Sequence, residues 1–143
     1  MIEWTFDPLE LANAYLNISR LGAIARRFEP NLYGLSSSPL HAGLPTDRLV
    51  AEWWLSLGRV KAATCGDPIA IAADFVRISV PLEIQELKKS GSAKALETQD
   101  TVRRNFSDLF KRGYGVSGFA FETGAGVYIF EKQEITRLPR YIR

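Results

Sequence analysis

Residues 6–23 read FDPLELANAYLNISRLGA: an Asp-Pro at one end, a Leu-Gly at the other and an almost wholly apolar run between them. Asp7 is a good N-cap because its carboxylate accepts from a free backbone N–H, and Pro8 suits the first helical position, where its missing N–H costs nothing. Gly22 falls where a left-handed C-terminal cap belongs. The spacing therefore predicts a helix from Pro8 to about Arg20. Within it Glu10, Asn13, Asn17 and Arg20 lie three, four and three residues apart and so form one line, while Leu9, Leu11, Ala12, Ala14, Tyr15, Leu16 and Ile18 cover the rest. A helix this apolar is packed on most sides, so its polar line must meet water, a ligand or another polar element.

Outward from this helix, IEWTF (2–6) alternates like a strand, and Ala23 to Arg27 reads as another. The turn-rich segment NLYGLSSSPLHAGLPTD (31–47), with room for a short helix around Pro39 to Ala42, leads to a strand RLVAEWWL (48–55). GRVKAATCGDP (58–68) looks like a weaker strand and a break. The second half starts over with DFVRISVP (74–81), whose Pro81 sits at the start of a helix closed by Gly91. A longer helix from Ser92 to Arg112 carries an apolar stripe of Leu96, Val102, Phe106, Leu109 and Phe110 and ends at Gly113. VSGFAFET and GVYIFEK, separated by Gly124-Ala125-Gly126, give a hairpin.

The order is thus strand, helix, strand, strand in residues 1–66 and strand, helix, helix, strand, strand in 67–143. It implies a layered α/β (α+β) fold, a mixed, largely antiparallel sheet with helices packed on it. The halves are not repeats by sequence, and each is short to fold alone, so one domain with a shared core is expected.

Composition agrees: 46% hydrophobic and 24% charged residues over 143 positions is ordinary for a globular chain, which argues against disorder or fibre. A formal charge of +2 neither demands nor excludes an anionic partner. Cys65 and His41 are the only residues of their kinds, so an internal disulfide and a multi-ligand Cys/His zinc site are both ruled out and a reducing, cytoplasmic setting is expected, with no metal. No window approaches 18 consecutive apolar residues and no basic-then-apolar leader opens the chain, so neither a membrane span nor a secretory signal is expected.

Gly113-Tyr-Gly-Val-Ser-Gly118 has dinucleotide-loop spacing, but that motif requires a strand feeding a helix, and here a helix feeds a strand. A helix cap plus strand glycines is the better account. His41 with Asp47 has the elements of a general base, with no nucleophile tied to it by any signature. Arg26-Arg27, Arg103-Arg104 and Lys111-Arg112, with Arg137, Arg140 and Arg143, could gather phosphates, but acids interleave them, which favours a solvated face over a nucleic-acid footprint. Trp53 and Trp54 put one indole on each face of a strand. One is core; the other packs under the second half or lines a cleft.

A strand, Asp-Pro, a helix with Ala14 eight residues before Gly22, then a strand, resembles the late part of the GNAT acyltransferase fold. There a pattern N-x-x-A-x-x-(F/Y)-Y-x-K-x-G-F follows the fifth strand. Ala14 and Gly22 match it, Arg20 takes the Lys position and Ala23 replaces the aromatic. Residues 4–34, 43–55 and 76–88 together resemble a group of predicted GNAT-superfamily acetyltransferases. The resemblance implies acetyl-CoA or another acyl-CoA as cofactor, its thioester end near a splayed junction around Phe6 to Asn13. Asn13, Asn17 and Arg20 are then the cofactor contacts, and Glu52, Trp53 or Trp54 the acceptor contacts. The tyrosine that often serves as general acid in the superfamily falls at Ile18, so no catalytic residue carries over. The superfamily's (Q/R)-x-x-G-x-(G/A) pyrophosphate loop is absent from this sequence, which implies either a truncated or independently folding C-terminal part or a second copy or another chain that completes the sheet. The competing reading is a non-catalytic dimerisation or protein-interaction domain. The strand, helix, helix, strand, strand order of the second half also resembles an N-terminal GNAT half, so the two are expected to pack as one rearranged sheet.

Overall fold

The computed structural model describes residues 1–31 and 45–133. Along the chain lie β1 (Ile2–Phe6), α1 (Leu11–Ala14) running into a π-helical turn (Tyr15–Arg20), β2 (Ile24–Glu29), β3 (Arg48–Trp53) and α2 (Gly58–Thr64). Then come β4 (Phe75–Pro81), α3 (Ile84–Lys89), α4 (Ala93–Lys111), β5 (Tyr114–Glu122) and β6 (Ala125–Lys132). The strands form one six-stranded sheet in the order β1-β3-β2-β5-β6-β4, each neighbour antiparallel to the next. The fold is α/β, with helices packed on an antiparallel sheet.

Both halves contribute to that sheet, and they do so in the same way. In each, the first strand pairs with the last and the last with the middle: β1-β3-β2 and β4-β6-β5. The two middle strands, β2 and β5, then meet at the centre. A shared topology without a shared sequence is possible because strand pairing demands alternation and burial rather than particular residues.

One core serves both halves. Phe106 of α4 is fully buried, its ring 5.0 Å from Tyr128 and from Phe130 on β6 and 5.8 Å from Phe28 on β2. These edge-on contacts suit the aromatic quadrupole. The aromatic chain continues from Tyr128 to Phe119 at 5.0 Å, to Phe121 at 5.3 Å and to Tyr15 at 5.5 Å, ending at the surface.

Several local expectations change. Asp7 does not cap a helix: its Oδ1 accepts from the Leu9 N–H at 2.8 Å inside a turn, and α1 starts only at Leu11. Beyond Ala14 the winding loosens, with Leu21 N–H donating to Leu16 O and Ala23 N–H to Asn17 O. The wider turn breaks the 3.6-residue period, so Asn17 is buried while Tyr15 and Leu16 are exposed, and the four polar residues do not share a face. Residues 58–64 form a helix rather than a weak strand, because Val60 and Ala63, three apart, both pack inward. On α4 the buried stripe is Ala95, Gln99, Val102, Phe106 and Leu109; Leu96 is 43% exposed. Ser92 accepts from the Lys94 N–H as its N-cap. Pro81 ends β4 and the next helix waits until Ile84. Positive φ at Gly22 and Gly113 agrees with their expected capping roles. The short helix near residues 39–42, His41, and Arg137, Arg140 and Arg143 lie outside the described residues.

Candidate functional site

The central strands touch through Ala25 on β2 and Val116 on β5, the one pair in their register. Each is followed by a bulge, Arg26 in β2 and Ser117 in β5, where the register with the outer neighbour shifts by one residue. A bulge bends its strand, so two facing bulges splay the strands beyond the contact. Gly115 permits the close approach on the other side: a Cβ there would lie 2.9 Å from Ala25 O.

The bulges are also chemically alike. Arg26 forks onto Glu52 of β3, Nε to Oε2 at 2.9 Å and Nη2 to Oε1 at 2.6 Å, and Trp54 Nε1 adds a bond to Oε1 at 3.1 Å. Ser117 Oγ donates to Glu131 Oε1 of β6 at 2.5 Å, and Glu131 Oε2 accepts from the Ala72 N–H at 2.8 Å. In both halves a bulge residue is tied to a glutamate on the adjoining last strand.

Arg59 of α2 closes the seam. It donates to Gly22 O at 2.8 Å and to Ser117 O at 2.6 Å, joining the π-turn's exit to the β5 bulge. Burial lowers its pKa and nearby Glu131 opposes that shift. Gly22 lets α2 approach, since a Cβ there would meet Arg59 O and Val60 Cα at 2.9 Å.

Beside this clip lies a cavity of about 250 Å³. Ile18 and Ser19 of the π-turn, Ser117, Gly118 and Phe119 of β5, Ile129 of β6 and Asp67, Pro68, Ile69 and Ile71 of the following loop line it. Ser19 Oγ donates to Phe119 O at 2.5 Å, fixing the π-turn to β5. An apolar pocket with a few polar groups, at a seam between structural units, is the usual form of a small-molecule site. Sequence reading missed it because its walls come from four segments, and the bulges that open it leave no signature.

The sequence-derived candidates scatter around this seam. Asn13 and Arg20 are exposed on the helix's outer side, and Asn17 is buried at 6% exposure. Phe6 to Leu9 are buried, so the junction expected to be splayed is closed, and the splay lies instead between β2 and β5. Glu52 and Trp54 come together as described, but Trp53 is on the opposite face, donating to Leu21 O at 2.8 Å and packing edge-on to Trp4 at 6.3 Å. Asp47 is taken by a two-point pair with Arg103 (2.9 and 3.1 Å) and by the Asn31 N–H at 2.8 Å, so both its oxygens have structural partners. Gly113 to Gly118 run from a helix into β5, the reverse of a dinucleotide loop. Arg26, Arg27, Arg103 and Arg112 are each paired with an acid. Among the described residues no group of three or more His, Cys, Asp or Glu could hold a metal, and no helix is long and apolar enough to cross a membrane.

A second polar cluster anchors the first half to the second. Lys88 Nζ of α3 sits 3.1 Å from Asp7 Oδ2 and 2.9 Å from Glu10 Oε1, and Tyr128 donates to Pro8 O at 2.5 Å. Burial raises the Tyr128 pKa well above its usual value, with Asp7 and Glu10 adding to the shift. For Lys88 burial pulls downward, but Asp7 and Glu10 outweigh it and the pKa is raised.

Comparison of the chain with protein-family models, curated proteins and solved structures finds no match.

Proposed function

We propose that this chain is a relative of the GNAT acyl-CoA-dependent N-acyltransferases and that the helix from Leu11 to Arg20 is its acyl-CoA contact. The observation that supports this reading is the π-helical turn Tyr15–Arg20, which falls within the helix that carries the sequence resemblance. π-turns are rare and concentrate at functional sites. Asn13, on the α-helical turn before this one, and Arg20, at its end, are open to solvent, an amide and a guanidinium suited to amide and phosphate groups respectively. Asn17 is buried, and its backbone carbonyl accepts from the Ala23 N–H at the turn's exit. Glu52 is buried and already accepts three bonds, two from Arg26 and one from Trp54, so an acceptor amine would compete with Arg26 for it. No pyrophosphate loop lies within these 143 residues, so the helix accounts for only part of the cofactor's contacts. Isothermal titration with acetyl-CoA and free CoA, in a buffer where light scattering records the oligomeric state, tests the reading.

One observation favours the alternative, a non-catalytic dimerisation module. Tyr15, Leu16 and Phe121 are 37%, 49% and 47% exposed, and Tyr15 lies against Phe121. Grouped exposed apolar residues mark interaction surfaces. A ligand-independent dimer that Phe121→Ser dissociates, with no acyl-CoA binding in either state, would favour this module.

A further inference from the structure

The seam cavity has a one-sided chemistry. Ser19 has committed its hydroxyl proton to Phe119 O, and Ser117 has committed its proton to Glu131 Oε1. A serine hydroxyl has a single proton, so both oxygens offer only lone pairs to a ligand. The third polar side chain in the lining, Asp67, is exposed at the loop, and its carboxylate is acceptor-only when ionised. The guanidinium of Arg59, the cation nearest Ser117, is spent on the Gly22, Ala23 and Ser117 carbonyls and faces Glu131. Every polar side chain lining the cavity therefore accepts, and one carries a negative charge. The remaining wall is isoleucine, proline, phenylalanine and Gly118.

We propose that this cavity binds a small organic ammonium ion, its apolar body on Ile71 and Ile129 and its N–H groups on Asp67, Ser19 and Ser117. At about 250 Å³ the space lies just below the range for drug-sized ligands, which fits a compound of roughly ten non-hydrogen atoms. An alcohol of the same shape offers one donor and no charge, and a carboxylate is repelled by Asp67. The site does not depend on the acyl-CoA reading, since it requires binding and no transfer.

Titration of the full chain with 2-phenylethylammonium, 2-phenylethanol and 3-phenylpropionate, followed by backbone amide NMR, tests it. Saturable shifts at Ser19, Gly118 and Ile129 with the ammonium are expected, the alcohol at least about fivefold weaker and the carboxylate silent. Asp67→Asn, on an exposed loop where folding is safe, should weaken the ammonium at least about fivefold and leave the alcohol unchanged. Equal binding of ammonium and alcohol, preference for the carboxylate, or shifts confined to another surface would overturn the assignment. Ammonium binding by a chain that ignores acetyl-CoA would keep this site and remove the acyltransferase reading; the reverse result would do the opposite.

Discussion

Ala25 and Val116 form the single backbone pair through which the two central strands meet, and the residue after each one bulges out of its strand. The sheet is thereby continuous in order yet weakly joined at its middle, and the stability of the seam rests on packing around that pair.

Gly115→Ala should strain this joint. Its Cβ would lie 2.8 Å from the Gln133 side chain and 2.9 Å from Ala25 O, and backbone cannot yield as a side chain can. A loss of about 2 kcal/mol in urea denaturation is expected. Gly58→Ala at the start of α2, where nothing lies within 4 Å, should be neutral or stabilising by up to about 1 kcal/mol. Equal effects of the two would contradict the seam's tightness.

Lys88→Met should cost about 3 kcal/mol, because it leaves Asp7, only 12% exposed at its side chain, facing no cation. Adding Asp7→Asn should recover part of that loss, since the amide oxygen can still accept from Leu9. A double-mutant cycle on thermal or urea unfolding reads the coupling, and additivity of the two changes would dismiss the pair as an anchor.

Stability should fall in alkali. The folded pKa values of Tyr128 and Lys88 are raised above their ordinary 10.0 and 10.5, so the folded chain holds these protons longer than the unfolded one. Their contribution is complete below those ordinary values and is lost as pH climbs from about 10 toward the folded values. Unfolding free energy measured from about pH 8 to 11 should be flat at first and then decline. Tyr128→Phe should make the decline shallower, and a profile identical to the parent's would refute the assignment to Tyr128.

Much of the fold was legible because it rests on local signals. Alternation marked β1, β3, β5 and β6, Ser92 and Gly113 bounded α4, and the turn after Glu122 announced the hairpin. Residues 58–64 are less legible because the helix is only seven residues long and buries just Val60 and Ala63, too few apolar positions to establish a helical period. The candidate site was less legible still. Reading Asn13, Asn17 and Arg20 as one line assumed 3.6 residues per turn, and the π-turn changes that number within the segment. On α4 the expected stripe residue Leu96 is exposed while Gln99 is buried, its Nε2 donating to Pro45 O at 2.7 Å, a tertiary bond that periodicity cannot foresee. The matched Arg26–Glu52 and Ser117–Glu131 ties emerge only when the two halves are laid side by side.

The acyl-CoA reading is tested most directly by isothermal titration of acetyl-CoA into the chain, its Asn13→Ala variant and its Arg20→Ala variant, with the oligomeric state recorded in the same buffer. Saturable micromolar binding to the parent, weakened at least about fivefold by each substitution with unfolding midpoints unchanged, is the expected result. No saturable heat from a folded parent in any oligomeric state, or binding indifferent to both substitutions, would contradict it.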